Sequence, residues 1–393
     1  MVIESCCANR RVTQLLFLTF LVAVLSATDV HAAKYTILDL GQLNGETTYS
    51  SPFHSLNALG QVTGSSITTV SYRGFRTAAN QPIEVSSDLG GRYTFSYGIN
   101  DAGQVVGSDN QRAFRTAPNG PVGTSVDLGT FGGSYSHAYG INFTGQTVGY
   151  AFEPDNQTIH AFRTSPNGTI NPLSDLGTLG GSNSFASVIN DSGQTVGSSD
   201  TVGNAEQHAF RTSSGGIVDA ASDLGTLGGK QSFATDINAS GQAVGASRTA
   251  IPGVVQHAFR TEPNGKITAA SDLGAFGAGL LCQANAINSW GQTVGNGGDN
   301  IAFFADVGST IVDLNSLIPS DSGWVLTNAT GINDSGQIAG DGIIAGEHHV
   351  FLLNVNVPEP SCFALTGVVG SLLIGRRRCR RVMLLSLVAG ELV

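Results

Sequence analysis

The chain has 393 residues, of which 12% are charged, 41% are hydrophobic and 52 are glycine. This composition excludes a disordered polyelectrolyte and is typical of a turn-rich β protein. Between residues 33 and 356 there are 12 Lys and Arg against 25 Asp and Glu, a net charge of −13. A nucleic-acid binder needs a basic surface, so we expect no nucleic-acid partner.

Residues 1–32 have the pattern of a secretory signal peptide. Arg10 and Arg11 precede an apolar core from Leu15 to Leu25, and Val30-His31-Ala32 ends in a small residue suited to cleavage. The apolar core is too short to span a bilayer comfortably. The sequence therefore predicts export.

The rest of the chain is dominated by a repeat of about 45 residues, a period typical of solenoids and propellers. We number units 1 to 7 by the asparagine of the pattern Ile-Asn-x-x-Gly-Gln-x-Val-Gly: Asn57, Asn100, Asn142, Asn190, Asn238, Asn288 and Asn333. Further along each unit there is a phenylalanine, preceded in most units by a small residue: Phe75, Phe114, Phe162, Phe210, Phe259, Phe303 and Phe351. An Asp-Leu-Gly segment, changed to Asp-Leu-Asn in unit 6, then begins at Asp88, Asp127, Asp175, Asp223, Asp272 and Asp313.

Each unit contains four short β-type segments separated by turn residues, as expected for one propeller blade. Unit 7 has no Asp-Leu-Gly segment after it, but one stands before unit 1 at Asp39-Leu40-Gly41. We therefore predict an all-β fold over residues 35–355. It is a seven-bladed β-propeller of four-stranded blades, closed by the N-terminal strand pairing with the strand that carries Phe351. A β-solenoid or stacked sandwich is the alternative.

Residues 357–393 contain three segments in a fixed order. Pro358, Glu359 and Pro360 come first, an apolar stretch from Phe363 to Gly375 follows, and then come Arg376, Arg377 and Arg378. This order resembles the PEP-CTERM sorting tail of Gram-negative bacteria. The resemblance implies an exosortase-like partner that removes the tail, transient membrane contact through it, and a secreted or cell-surface location. An ordinary C-terminal membrane anchor, with a transmembrane helix, is the alternative.

The repeat itself, with His-Ala-Phe followed by SDLGTLGGSNSFASVINDSGQTVG, resembles the HAF repeat of bacterial extracellular proteins. The resemblance covers residues 35–353. It implies secretion and a repeat architecture, and it implies no reaction or ligand.

The repeated polar residues are interpreted as structural. His160, His208, His257 and His349 recur once per unit, and arginines stand at the same position in units 1 and 2. Ligands spread around a ring cannot converge on one ion, so we predict no metal site, no cofactor and no catalytic residue. Each Asp of Asp-Leu-Gly is expected to pair with an arginine of its own blade or to cap a turn.

The loops between the second and third strands vary in length, and such variation is typical of a binding face. They carry the candidate acidic binding face: Asp109, Glu153, Asp155, Asp200, Glu206, Asp299, Asp341 and Glu347. One hypothesis is that it recruits calcium or a cationic partner, and the alternative is a solvated surface. Tyr72, Tyr150 and Phe152 are candidates for stacking on the sugar rings of an extracellular polysaccharide, or else pack within the loops.

The sequence thus predicts an exported, non-enzymatic repeat protein of the bacterial cell surface or matrix that acts as a binding or structural module. The alternative is a polysaccharide hydrolase or lyase on a propeller scaffold. Pattern-breaking unit 6 is apolar rather than acidic, with Leu280, Leu281, Cys282 and Trp290, which favours the non-enzymatic function.

Overall fold

The computed structural model describes residues 33–67, 71–251, 255–275, 281–298 and 300–356. The predicted signal peptide, the sorting-motif residues from Pro358 to Arg378 and the candidate Asp299 therefore lie outside the described residues. Within the described ranges, no helix has the length and apolar character needed to cross a membrane.

The described residues form an all-β propeller with short 3₁₀ helices in its connections. The strands, numbered along the chain, are β1 (Tyr35–Gly41), β2 (Thr48–Ser50), β3 (Thr63–Ile67), β4 (Tyr72–Arg76), β5 (Thr94–Ile99), β6 (Val105–Asp109), β7 (Arg112–Arg115), β8 (Val126–Asp127), β9 (Ser136–Ile141), β10 (Thr147–Phe152), β11 (Ile159–Arg163), β12 (Gly180–Ile189), β13 (Thr195–Thr201), β14 (Gln207–Arg211), β15 (Asp223–Gly225), β16 (Gly228–Ile237), β17 (Ala243–Thr249), β18 (Gln256–Arg260), β19 (Asp272–Gly274), β20 (Gln283–Ile287), β21 (Thr293–Gly297), β22 (Ile301–Ala305), β23 (Val312–Asp313), β24 (Trp324–Ile332), β25 (Ile338–Ile344) and β26 (Glu347–Val355). The 3₁₀ helices are Val85–Ser87, Val122–Thr124, Pro172–Ser174, Val202–Asn204, Ala269–Ser271 and Leu314–Leu317.

Four sheets of the described chain stand separately as blades. Their strand orders are β1-β26-β25-β24, β2-β3-β4, β5-β6-β7-β8 and β20-β21-β22-β23, and the remaining strands, β9 to β19, form one 11-stranded sheet. The prediction of seven separate four-stranded blades is therefore wrong.

The physical reason lies in the long first strands of units 4 and 5. β12 and β16 each have 10 residues because they start early, at Gly180 and Gly228. Their extensions reach the third strand of the preceding unit and form single parallel pairs, Ile159 with Asn183 and Gln207 with Gln231. These pairs join three antiparallel ladders into one sheet.

The ends of the ring meet as predicted. β1 pairs antiparallel with β26 over Tyr35–Gly41, with Asp39 opposite Phe351. Leu40 is buried in the same cluster as Leu56 and Phe75 of unit 1 and Leu352 of unit 7. The N-terminal strand therefore closes the last sheet, and the prediction of this pairing is confirmed.

Core clusters connect successive units in the same way elsewhere. Phe210 of unit 4, for example, is fully buried against Val148 and Ala161 of unit 3. The glycine of each Val-Gly step makes this packing possible, because a Cβ on Gly149 would overlap the carbonyl oxygen of His137 on the neighbouring strand. The repeated phenylalanine and glycine are thus packing residues.

Candidate functional site

A closed ring of hydrogen bonds connects the seven anchor asparagines. Each side chain donates from Nδ2 to the backbone oxygen of the next unit's asparagine, as in Asn190 to Asn238 at 3.0 Å. The other links are Asn57 to Asn100, Asn100 to Asn142, Asn142 to Asn190, Asn238 to Asn288 and Asn288 to Asn333. Asn333 donates to Asn57 at 3.1 Å and completes the circle.

The local geometry of the repeat explains why asparagine and glutamine recur. In unit 4 the Nδ2 of Asn190 also donates to Gln194 Oε1, and its Oδ1 accepts from the backbone N–H of Gln194. The intervening glycine, Gly193, turns the chain at a φ of 80°. The sequence predicted the hairpin but not the ring, because the third partner is a backbone carbonyl of another unit.

The asparagines line an axial cavity of about 210 Å³. Three exposed acids at its mouth are engaged with the backbone of the preceding unit: Asp101 accepts from Ala58 N, Asp191 from Phe143 N and Asp334 from Ser289 N. These acids are not among the predicted site residues. They stand directly after the anchor asparagine, which is the signal that could have found them.

A loop of unit 1 crosses this cavity. In unit 1, five residues, from Ser51 to Ser55, separate the residue that pairs with Gly64 from the residue that pairs with Val62. In unit 2, only two residues separate the equivalent pairs. Phe53 in this loop reaches Tyr139 of unit 3, with ring centroids 4.6 Å apart, and His54 Nδ1 lies 3.9 Å from Asp236 Oδ1 of unit 5.

Neighbouring carboxylates raise the pKa of His54 at this crossing. Burial alone would lower the pKa of this imidazole, but the carboxylates of Asp236, Asp101 and Asp191 raise it above its ordinary value. Asp236 is itself buried and accepts hydrogen bonds from the backbone N–H groups of Ile237 and Ile287. The loop is therefore held across the axis by the contact of His54 with Asp236 and by aromatic packing.

The repeated His or Arg and the Asp of Asp-Leu-Gly form pairs within the sheet. His160, His208, His257 and His349 contact Asp175, Asp223, Asp272 and Asp39 through Nδ1, whereas Arg73 and Arg112 contact Asp88 and Asp127. Each of these carboxylates also caps a turn by accepting from the glycine N–H two residues later. Each of these six aspartates therefore caps a turn, which is one of the two expected alternatives. The basic partner is arginine, the other alternative, in two of the six pairs and histidine in four.

The arginines that follow the phenylalanines connect neighbouring units. Arg115 donates to Gly168 O at 3.0 Å, and Arg211 donates to Gly265 O at 2.8 Å, each across to the next unit's hairpin. Because Lys could not present the same planar fork, these contacts explain why arginine stands here.

The candidate acidic binding face is dispersed, and one member is not on a surface. Asp341 is 6% exposed in β25, where it accepts from Ser50 N and Ser50 Oγ, so its assignment to an exposed loop is wrong. Burial raises its pKa to about 7. The flanking Gly340 and Gly342 allow close strand packing, because a Cβ on either would meet atoms of the neighbouring strand.

The other described members of this face have local partners or stand in solvent. Asp109 accepts from Thr94, and Asp155 accepts from the backbone of Gln157 and Thr158. Glu347 is exposed at the start of β26.

A groove of about 250 Å³ brings Asp200 and Glu206 together with Lys230 and Arg248. Two acids and two bases therefore face the same space. The charge at this point is balanced rather than acidic.

Glu153 lies beside the His160–Asp175 pair of unit 3. His160 Nδ1 is 3.0 Å from Asp175 Oδ2 and 3.7 Å from Glu153 Oε1. The hydrogen bond with Asp175 raises the pKa of His160. Burial alone would raise the pKa of Asp175, but His160 and the N–H of Gly177 lower it, whereas burial raises the pKa of Glu153.

The predicted stacking residues belong to one aromatic cluster across units 1 to 4. Its contacts run from Tyr72 to Phe95, from Tyr97 to Tyr139, and from Tyr150 to both Phe152 and Phe185. We define the aromatic cluster as Phe53, Tyr72, Phe95, Tyr97, Tyr135, His137, Tyr139, Tyr150, Phe152 and Phe185.

Most rings of the aromatic cluster are half-buried, and Tyr135 is 40% exposed. Burial raises the pKa of Tyr97 to about 12, so its hydroxyl stays protonated at neutral pH. The cluster thus combines partly accessible ring faces with hydrogen-bonding hydroxyl groups.

Comparison of the chain with known protein families finds no match, and a search of the curated proteins finds none either. The resemblances to the HAF repeat and to the PEP-CTERM tail therefore stay predictions.

Proposed function

We propose that this chain is an exported, non-enzymatic repeat protein of the bacterial cell surface or extracellular matrix. It acts as a binding or structural module, and a PEP-CTERM-type tail read by an exosortase-like enzyme directs it there. In this proposal the three ladders of the 11-stranded sheet each count as one blade, so that the ring has seven. The closed circle of seven asparagine hydrogen bonds is the observation that supports this count.

The same observation supports a non-enzymatic function. The residue types that could perform chemistry recur in nearly every unit, and their contacts are structural: asparagine to the ring, arginine to the next hairpin, and histidine to aspartate. A polysaccharide hydrolase needs two carboxylates with different environments facing one bond. Repeated groups that maintain the fold in every unit do not fit that requirement.

The binding function that fits the surface best is recognition of an extracellular polysaccharide by the aromatic cluster. A tyrosine ring suits an amphipathic ligand, because the apolar body of the ring can pack against the ligand while its hydroxyl group stays hydrated or hydrogen-bonded. Tyr150 and Phe152 lie two positions apart on the same strand and therefore on the same face of the sheet, and Phe152 leads into the variable loop of unit 3. A glycan chain would lie along these rings.

The test is a glycan array probed with the secreted chain and with two variants. Phe152→Ala removes a ring of the aromatic cluster, whereas Phe143→Ala removes a ring that is 70% exposed at the mouth of the axial cavity. We expect polysaccharide binding that Phe152→Ala weakens and Phe143→Ala leaves intact. Equal loss in both variants, or release of shortened glycans during incubation, would contradict this proposal.

The proposed sorting by the C-terminal tail is tested separately. Removing residues 357–393 should release the protein into the medium, and mass spectrometry of the mature protein should find its C-terminus near Pro358–Pro360. A mature protein that still carries Arg376–Arg378 would contradict sorting by tail removal and favour a retained anchor.

A further inference from the structure

The variable loop of unit 3 places a second carboxylate beside an ion pair that other units build from two groups. Glu153 follows β10, His160 lies in β11, and Asp175 follows the 3₁₀ helix Pro172–Ser174. One ligand atom from each of the three residues lies within 4.8 Å of the others. Their side chains are 28%, 23% and 33% exposed, respectively, so the cluster is partly open to solvent.

The other units provide an internal comparison. Within the described residues, units 1, 2, 5 and 7 place one basic side chain against one aspartate: Arg73–Asp88, Arg112–Asp127, His257–Asp272 and His349–Asp39. Because arginine replaces histidine without loss of the aspartate contact, the position needs only a side chain that donates to the carboxylate. The histidine of unit 3 fulfils this need and has a further carboxylate on the same ring nitrogen.

Unit 4 contains the same three residue types in a different arrangement. Asp223 lies 3.0 Å from Nδ1 of His208, but Glu206 lies 3.2 Å from Nε2 on the other side of the ring. Each carboxylate of unit 4 therefore has a ring nitrogen of its own. In unit 3 both carboxylates face Nδ1, and one N–H cannot satisfy them equally.

We propose that Glu153, His160 and Asp175 bind a divalent transition-metal ion, and that zinc is the ion whose bond lengths match this cluster. The ion takes the place of the Nδ1 proton, which is released to solvent, and it contacts one oxygen of each carboxylate. Water completes a four-coordinate shell.

The distances suit this ion. Zinc bonds of about 2.0–2.2 Å in a tetrahedral shell place neighbouring ligand atoms about 3.3–3.5 Å apart. The Nδ1 separations of 3.0 Å to Asp175 and 3.7 Å to Glu153 bracket that value, and the ligand oxygens of the two carboxylates lie within 4.8 Å of each other. The Asp175 Oδ1 atom already accepts from Gly177 N at 2.7 Å, which fixes the carboxylate while its other oxygen faces the ion.

The chemistry of the donor set distinguishes this ion from calcium. Calcium takes six to eight oxygen ligands, whereas an imidazole nitrogen suits zinc and its neighbours in the first transition row. This inference is independent of the proposed polysaccharide binding.

The experiment is a calorimetric titration of the metal-free secreted chain with zinc chloride, in two buffers of different protonation enthalpy. We expect one site per chain, with proton release and a rise in melting temperature. His160→Arg reproduces the pair of units 1 and 2, so it should keep the melting temperature in chelator and lose the site. Glu153→Gln should weaken zinc binding by at least about tenfold, because it removes a ligand charge.

Glu206→Gln is the matched control, because Glu206 neighbours His208 but does not converge with Asp223 on one nitrogen. It should leave zinc binding unchanged. The proposal is overturned if zinc does not bind at millimolar concentration. It is also overturned if His160→Arg binds as tightly as the parent, or if calcium binds with equal affinity at a site that needs Glu153 but not His160.

Discussion

The closure of the ring can be tested by removing one side chain at the seam. Leu40 in β1 is 1% exposed and packs with residues of units 1 and 7. Leu176 holds the equivalent Asp-Leu-Gly position inside the chain and is 2% exposed in the core between units 3 and 4. Leu40→Ala and Leu176→Ala therefore remove the same atoms from similar surroundings.

Truncating a fully buried leucine to alanine costs about 2–5 kcal/mol of unfolding free energy. The entropy of unfolding is about 2 cal/mol/K per residue, so a cooperative unit of the size of this ring loses about 3–7 °C in melting temperature. Because Leu40 at the seam is as deeply buried as Leu176 in the interior, we expect both variants to show this loss in one shared transition.

The assay is differential scanning calorimetry of the parent and both variants, supported by urea titration with far-UV circular dichroism. The result that refutes closure is a Leu40→Ala protein whose main transition is unchanged while Leu176→Ala shifts it. A separate early transition in Leu40→Ala alone would likewise show that β1 unfolds independently of the ring.

Three further predictions concern single positions. The pKa of Asp341 is about 7 in the folded state and 3.8 in the unfolded state, so the unfolded state loses this proton first as pH rises. The free energy of unfolding of the parent should therefore fall between these pH values, by on the order of 4 kcal/mol at most. Asp341→Asn should remove this dependence of the unfolding free energy on pH in urea titrations from pH 4 to 8. Asn190→Ala breaks the hydrogen-bond circle and three local bonds, so calorimetry should show a loss of about 2–3 kcal/mol, and an unchanged protein would disprove a structural role for the circle. Gly149→Ala should prevent folding or lower the melting temperature strongly, whereas Gly123→Ala, with open space around its Cβ, should be neutral; equal effects would contradict the packing argument.

Local patterns in the sequence predicted the parts of the fold that repeat. The pairing of β1 with β26 was predictable from the seven phenylalanines and the displaced Asp-Leu-Gly segment. Each unit repeats the same order of phenylalanine and Asp-Leu-Gly, so the missing segment of unit 7 could be recognised before unit 1. The merging of three ladders into one sheet was not predictable in this way. It depends on how far β12 and β16 extend toward a neighbour, and glycine-rich extensions resemble loops.

The site residues were harder to predict than the fold because their partners are distant in the chain. Asp341 accepts from Ser50, which lies 291 positions away, and nothing near Asp341 in the sequence indicates that contact. The crossing loop of unit 1 shows the same difficulty. Its extra length is visible in the sequence, but its contact with Asp236 depends on the diameter of the ring.

The pairing of β1 with β26 also determines the order of events during synthesis. Asp39 and His349 are 310 positions apart, so β1 must wait for β26 to be synthesised before the two strands can pair. Contacts of such long separation form slowly, because a large loop must close first. Until β26 is available, β1 stays unpaired in the nascent chain. A protease or a holding chaperone would bind the protein in this unclosed form.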